Sequence, residues 1–550
     1  MYKTKVFYIS SESNISCPFL DGFAFFGSDL VIGNKAYKEY ILKNSTIEDY
    51  PDGCCVIINK NYEDITIQRD YHGYYPLYYY NKENFWCISS SILHIIKKLK
   101  QKQINIEYDN TNIEIWKSKL ALALQASSHY TYIKNIKLLP VGCNIIISNG
   151  KLNIELRENS YTHKTYKEAL EECLYIWRKR FETVFRNSIG IRMELTGGID
   201  SRTLFSFVAK EKELLNFKYT NNGIFIYSDT NYKEDFHIAK KISDIYNINI
   251  NGTFNKEYRS IPLSSYDSYN NWKYYNIGRY SPIVFPASQF NVNCINFGGE
   301  GGEDNRGFYG RNDDGSFLSF DIYLNRYQRY FSKKEFYDKW VNNIYESLDI
   351  IKRANTNKNI SDSILHYREF RSTHHTSKTP FNKFNCAVLG SKYFHNISQY
   401  ADKEQIENGQ ILYDIINNND NRLLMIQFDK EYKNLTPKNI QNLSYIKNYN
   451  DYKYGYIYIY DNNQLPNMEY VEFEPLDDKF NSYNPLQILI FNAIKIINKN
   501  KEIFIDILGN EYFHKMEKEI SSINPLSNRI NLHADGVVLH LCELIQSIAE

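Results

Sequence analysis

The sequence predicts a mixed α/β protein with a strand-rich first part, a doubly wound parallel sheet after it, and a helical C-terminal part. Three observations carry this. At 550 residues the chain exceeds what one hydrophobic core supports, so two or more domains are expected. Up to about residue 155, short β-branched and aromatic runs are separated by turn signals. Beyond that point, apolar stretches of strand length alternate with runs of helical period, which is the signature of βα units.

In the first part, Phe23–Phe26, Cys54–Ile58, Ile65–Gln68, Leu77–Tyr80, Phe85–Ser89 and Asn144–Ile147 read as strands. Two segments are sharper. One is Pro51-Asp52-Gly53-Cys54-Cys55-Val56-Ile57-Ile58 followed by Arg69-Asp70-Tyr71-His72-Gly73-Tyr74-Tyr75-Pro76-Leu77-Tyr78-Tyr79-Tyr80. The other is Leu138-Leu139-Pro140-Val141-Gly142, leading into a further strand. From Tyr161 to Asn187, Tyr166, Ala169, Leu170, Cys173, Leu174, Trp177, Phe181, Val184 and Phe185 recur at three- and four-residue steps and predict a packing helix.

Next, Arg192–Leu195 reads as a strand, and Thr196-Gly197-Gly198-Ile199-Asp200-Ser201-Arg202 turns it into a helix carrying Leu204, Phe205, Phe207, Val208 and Ala209. A strand, a small-residue turn and a helix start make a phosphate cradle: Gly197 and Gly198 permit the sharp turn, and the helix aims its positive end at the oxygens. Thr196 and Ser201 add hydroxyl donors, while Asp200, repelled by phosphate, suits holding Mg²⁺ against it. No Gly-Lys-Ser/Thr follows, so this is not a Walker-type loop.

Ile224–Tyr227 and Ile248–Ile250 read as further strands flanking a helix from Glu234. Asp235, at the start of that helix, either meets a bound nucleotide or serves the helix macrodipole. A second constellation runs from Cys294 to Gly310. An apolar strand ends in Gly298, Gly299, Gly301 and Gly302, interleaved with Glu300, Glu303 and Asp304, before a basic and aromatic turn with Arg306. The glycines let something large approach the backbone, and the acids call for an electropositive or metal-bearing ligand.

Residues 320–375 read as helical, with Tyr323, Tyr327, Tyr330, Phe331, Phe336 and Trp340 as a buried stripe. Arg368 and Arg371 share a helix face and suit either an anion or structural salt bridges. His374-His375 lacks the companions of a metal pair. Residues 441–480 are rich in Tyr and Asn with one strand-like run, Tyr454–Tyr460, and the tail from Pro485 reads as a helical cap.

Composition narrows the function. With 65 Lys+Arg against 64 Asp+Glu, the net charge of +1 argues against a nucleic-acid or membrane-surface partner. The 49 tyrosines accompany abundant Asn, Ile and Lys, a compositional bias rather than a stacking platform. Nine cysteines without a Cys-X-X-Cys pair fit buried thiols in a reducing compartment. No apolar run is long enough to span a membrane and no signal peptide is read at the N-terminus, so a cytoplasmic location is expected.

Thr-Gly-Gly-Ile-Asp-Ser-Arg resembles the Ser-Gly-Gly-X-Asp-Ser pyrophosphate loop of the ATP-pyrophosphatases, with Thr196 keeping the hydroxyl. The Arg69–Tyr79 and Leu139–Gly142 segments resemble the glutaminase domain of the asparagine synthetase family, and the Gly298–Asp304 loop resembles that family's Ser-Gly-Glu-Gly-X-Asp-Glu loop. The likeness spans roughly residues 20–310 and, more thinly, 360–430, where Cys386–Phe394 is similar to the family's Pro-Phe-Leu-Asp segment.

The resemblance implies an Ntn-hydrolase-like αββα sandwich over residues 1–158, an ATP-pyrophosphatase synthetase domain over 159–435 and an extension over 436–550. It implies ATP and Mg²⁺ as cofactors. Thr196, Gly197, Gly198, Asp200, Ser201, Gly298 and Gly299 would bind nucleotide, and Asp200 and Glu303 would hold the metal, with Asp304 as an alternative to Glu303. Glu300, Asp200 and Arg306 would be catalytic, and Lys430 and Lys433 are guesses for the family's charge-balancing lysine.

One departure shapes the functional expectation. The family's glutaminase uses a cysteine after the initiator methionine; here Tyr2 follows Met1, and a phenol of pKa about 10 cannot replace a thiolate. The front domain is therefore expected to lack glutamine hydrolysis, as in β-lactam synthetase-like and lasso-peptide cyclase-like members. The expected function is an ATP-dependent, AMP-forming amide ligase joining a small-molecule, sugar or peptide carboxylate to a free amine. The alternative is a catalytically degenerate nucleotide-binding partner protein of a biosynthetic or surface-polysaccharide pathway. A tRNA-modifying pyrophosphatase is disfavoured by the charge balance and the front domain. An oligomer is compatible with all of these readings.

Overall fold

A computed structural model describes the 550-residue chain except residues 1–3, 45–49, 83, 158–164, 307, 310–317, 380, 383, 447–453, 460–464, 472–481, 524–533 and 550. Tyr2 and the expected boundary at 158/159 thus lie outside the described residues. The chain is mixed α/β, with three sheets among the described residues.

The first part supplies β1 (Thr4–Ser10), β2 (Phe19–Phe26), β3 (Asp29–Ile32), β4 (Asp52–Asn61), β5 (Asp64–Arg69), β6 (Tyr78–Lys82), β7 (Phe85–Ser89), β8 (Ile136–Leu138), β9 (Cys143–Ser148) and β10 (Lys151–Leu156). Every strand expected there from the sequence is present. Pairing is antiparallel within β1-β7-β6-β8 and within β10-β9-β5-β4-β2-β3.

Alternation along each strand decides the layering. Phe19, Phe23 and Phe25 of β2, with Cys54, Val56 and Ile58 of β4, face the large core. Leu20, Ala24, Phe26, Cys55 and Ile57 face the other way, under the helix Asn34–Lys43 with its Ala36, Tyr37 and Tyr40. Phe7 of β1 stacks on Phe19 with ring centroids 6.1 Å apart, which places the second sheet against the first. Tyr8 turns to the opposite face, where His94 of the helix Ile92–Gln101 meets it edge-on at 5.1 Å. Two sheets therefore lie between two helices.

The helix Tyr166–Arg186 is the spine between this sandwich and the next sheet. A capping box of Thr165 and Glu168 starts it. Trp177 meets Phe25 of the sandwich, and Phe181 packs on Phe297 with centroids 4.6 Å apart. Arg180, fully buried, donates to Asp52 at 2.6 Å and to the Gly27 carbonyl at 2.8 Å.

The second part holds β11 (Gly190–Glu194), β12 (Ile224–Tyr227), β13 (Cys294–Gly298) and β14 (Asn385–Ala387), all parallel, in the order β12-β11-β13-β14. The chain steps outward from β11 to β12, then returns to β13 on the far side of β11. The order reverses between β11 and β13, and the crevice at their carboxyl ends is where open α/β sheets bind ligands.

Three expectations are corrected. Ile248–Ile250 forms no strand: only Asn251, in a left-handed conformation (φ 57°), reaches the end of β12, and the chain turns away. The stripe in residues 320–353 buries Tyr323, Tyr327 and Trp340, but Tyr337 lies inside where Phe336 was expected. The extension is not only a helical cap. Its helices Pro485–Lys499, Lys501–Leu508, Asn510–Ser522 and Ala534–Ala549 are as expected, and β15 (Ile457–Ile459), inside the expected run Tyr454–Tyr460, joins β3 in parallel; β16 (Met468–Val471), which joins β1, was not expected. Each thus extends an edge of one of the N-terminal sheets. Among the described residues no helix is long and apolar enough to cross a membrane.

Candidate functional site

The loops after β11 and β13 meet in the crevice. Gly299 approaches the start of the helix Ile199–Lys210 so closely that a Cβ on it would sit 3.2 Å from the Ser201 nitrogen. That helix begins at Gly198 with no side-chain cap, which leaves its positive end directed at the crevice. Ser201 accepts from the Thr196 amide at 3.0 Å and shares a hydrogen bond with Thr196 Oγ1 at 2.9 Å, so the two expected hydroxyls hold the turn together. The Gly198 amide donates to Thr196 Oγ1 at 3.1 Å.

The carboxylates converge as expected. Arg306 Nη2 donates to Asp200 Oδ2 at 2.6 Å and to Glu303 Oε1 at 3.1 Å, so one nitrogen joins the two proposed metal ligands. Their side chains are only 21% and 27% exposed, and Arg306 is 16% exposed. Burial, with the Asp200 charge beside it, pushes the Glu303 carboxyl well above the usual carboxylate range, and Arg306 pulls it partly back.

Two acids press on bare glycines. A Cβ at Gly302 would lie 1.9 Å from Asp200 Oδ1, and one at Gly298 would lie 1.7 Å from Glu300 Oε2. These same two oxygens are buried and have no hydrogen-bond partner. Glu300 also raises the carboxyl of Glu194 at the end of β11, after the larger effect of desolvation, with Lys378 and Arg192 opposing. Orphaned carboxylate oxygens beside an uncapped helix start suit a magnesium–triphosphate ligand, whose cation would satisfy the acids and whose oxygens would meet the helix.

Other expected residues fall into clear positions. Asp235 accepts from the Gly197 amide at 2.9 Å, so it braces the loop. Lys433 is brought near the loop: it pairs with Asp429 at 2.9 Å, and the Asp429 amide donates to the Gly197 carbonyl at 3.1 Å. For Lys430 no such contact is found among the described residues. Asp304 is corrected as a shared metal ligand with Glu303. It is fully buried and turned to the sandwich, where His72 Nε2 lies 2.8 Å and His395 Nε2 3.2 Å from its Oδ2. Arg368 is structural, donating to the Asp304 carbonyl at 2.8 Å and to Ser398 at 2.9 Å. Arg371 reaches Gln125 at 3.3 Å. His374 is buried, and His375 Nδ1 lies 2.7 Å from the Tyr280 hydroxyl. The Cys386–Phe394 segment abuts the acidic loop: a Cβ at Gly301 would lie 2.3 Å from the Gly390 nitrogen.

Arg202 was missed. It is fully buried, donates to the carbonyls of Leu423, Ile426, Gln427 and Gly197, and lies over the Phe428 ring at 3.7 Å. It thereby staples residues 423–428 to the phosphate-type turn. The only signal in the sequence was its place in the motif; apart from Gly197, its carbonyl partners lie more than two hundred residues away.

The Arg69–Leu77 segment is a self-satisfying turn. Asp70 accepts from the amides of Cys55, Tyr74 and Tyr75, and Arg69 donates to the Leu139 carbonyl at 2.6 Å. Its product is a rigid platform that presents His72 and Tyr74 to the second part. No protein-family model matches the chain, and no curated protein sequence matches it either.

Proposed function

We propose that the chain is an ATP-dependent, AMP-forming carbon–nitrogen ligase with the layout of the asparagine synthetase family, working on a free amine rather than on glutamine-derived ammonia. The observation that carries the reading is the meeting of Asp200 and Glu303 on one nitrogen of Arg306, beside an uncapped helix start at the switch point of a parallel sheet. The antiparallel sandwich between two helices supports the Ntn-like assignment of the first part, and the order β12-β11-β13-β14 supports the ATP-pyrophosphatase assignment of the second.

In this reading the helix start and the Thr196–Ser201 turn hold phosphate oxygens by oriented N–H groups. Asp200 and Glu303 would hold Mg²⁺, which when bound neutralises the triphosphate and the departing pyrophosphate. Glu303, with its raised carboxyl, is ionised most readily when a cation arrives. Arg306 would then turn from the acids to the phosphates. Glu300, with an unpartnered buried oxygen, is placed to accept the proton of the attacking amine. Holding amine and acyl-adenylate in one crevice supplies the orientation.

The second reading, a nucleotide-binding protein without turnover, is favoured by one feature: Arg306 already neutralises both acids. ATP–pyrophosphate exchange, screened against carboxylic acids with and without amines, separates the two. We expect acid-dependent exchange that Asp200→Ala abolishes while its circular dichroism stays unchanged. Nucleotide binding with no exchange for any acid, or exchange that persists in Asp200→Ala, contradicts the ligase reading.

A further inference from the structure

Outside the crevice, a second cluster of ligand-type side chains joins three distant segments. His72 comes from the loop between β5 and β6, Asp304 from the turn Gly302–Asn305, and His395 from the helix Lys392–Gln399. One donor atom from each lies within 4.8 Å of the others, and all three residues are buried.

His72 bridges the two parts. Its Nδ1 lies 3.1 Å from Thr373 Oγ1 and its Nε2 2.8 Å from Asp304 Oδ2. With the proton on Nε2 the ring donates to Asp304 and Nδ1 accepts from the hydroxyl. With the proton on Nδ1 the ring donates to the hydroxyl, whose own proton goes to the carbonyl of Arg368 at 2.9 Å or of His72 at 3.2 Å, and the Nε2 lone pair is free for a cation held by Asp304.

The remaining features resemble the surroundings of a bound ion. A histidine ligand commonly donates its other N–H to an outer partner, and Thr373 Oγ1 stands 3.1 Å from His72 Nδ1 to receive it. Asp304 Oδ1 is buried without a partner, and Ser372 Oγ steadies Oδ2 at 3.1 Å. Of the two edges to Asp304 Oδ2, the 3.2 Å from His395 Nε2 is near the about 3.3 Å expected of a tetrahedron with metal–ligand bonds near 2.0–2.1 Å, and the 2.8 Å from His72 Nε2 is shorter, so a bound ion would spread that pair. A cavity of about 50 Å³ bordering both histidines has room for a water as fourth ligand.

We propose that His72, His395 and Asp304 form a zinc-class metal site that clamps the sandwich to the acidic loop. Two imidazoles and one carboxylate select a d-block ion over Mg²⁺, which prefers oxygen ligands. Because Asp304 directly follows Glu303, the ion would also fix the turn that carries Glu303 and Arg306. The site stands independently of the ligase reading.

The test is metal content by mass spectrometry on the full chain, stripped with chelator and then reloaded with Zn²⁺. We expect one Zn²⁺ per chain, with affinity weakened at least ~10-fold in both His72→Gln and His395→Gln. Should a variant fail to fold, Co²⁺ loading of the unaltered chain decides. Visible bands of a four-coordinate ion without a thiolate charge-transfer band support the site. Failure of the unaltered chain to hold Zn²⁺ overturns it in favour of a direct histidine–carboxylate hydrogen bond, as does equal zinc content in both variants or a thiolate signature from any of the nine cysteines.

Discussion

Gly298 and Gly302 show how single residues set up the crevice. Each leaves a space that a neighbouring carboxylate fills, Glu300 over the first and Asp200 over the second. Asp200 and Glu303 are also held close to each other on one nitrogen of Arg306, and their repulsion has a measurable signature at Glu303. Its carboxyl is raised in the folded chain by burial and by Asp200, so folding favours the protonated form. The associated stability is fully present below the unfolded value, about 4.3, and is lost as pH rises through the raised value. Glu303→Gln is therefore expected to raise thermal stability at pH 8, by roughly 1 kcal/mol, and to leave it unchanged at pH 4. Equal melting temperatures at pH 8, or a lower one in the variant, would contradict this. The same substitution removes a proposed metal ligand, so gain of stability should accompany loss of activity.

Among the elements, β16 shows how the extension is fastened. Its Glu469 accepts from His94 at 3.1 Å and pairs with Lys98 at 2.8 Å, both on the helix Ile92–Gln101. Burial pushes this carboxyl up, but His94 and Lys98 outweigh it and hold it at about 2. The stability it contributes is present above the unfolded value of about 4.3 and is lost as pH falls through about 2. Hydrogen exchange should show β16 protected at pH 6, less so in Glu469→Gln, with the difference vanishing near pH 2; identical protection at pH 6 would argue against the tether.

β15 falls within the strand-like run read at Tyr454–Tyr460, whereas β16, short and half exposed, carries no alternation for a period-two pattern to reveal. β2 and β4 were legible because each side of them meets a different apolar layer. The helix Tyr166–Arg186 was legible from its buried stripe, yet Arg178 and Arg180 are buried in it too, satisfied by partners from distant segments. The two glycine–acid loops could be recognised locally. Arg202 and the turn of Asp304 toward His72 could not, since each depends on long-range partners.

For the whole molecule, the first part acts as a scaffold for the second. Asp52 accepts from Arg180 and from the Lys392 amide at 2.8 Å, Glu369 binds His129 at 2.7 Å and the Val141 amide at 2.8 Å, and Phe23 packs on Phe384 at 4.4 Å. Buried charges at this boundary are paired, and breaking a buried pair by removing one partner typically costs about 3–5 kcal/mol. The segments that border the crevice, residues 298–306 and 388–395, therefore rest on the sandwich rather than on solvent. A front domain expected to lack its own nucleophile would retain this supporting role.

The central claim is that the two glycine-lined loops form one magnesium–triphosphate site. Calorimetric titration with ATP, with and without Mg²⁺, tests it without knowledge of the acid or the amine. The account predicts one Mg²⁺-dependent site per chain, lost in Asp200→Ala and in Glu303→Ala. Magnesium-dependent binding of undiminished strength in both variants, or no binding by the unaltered chain, would contradict it.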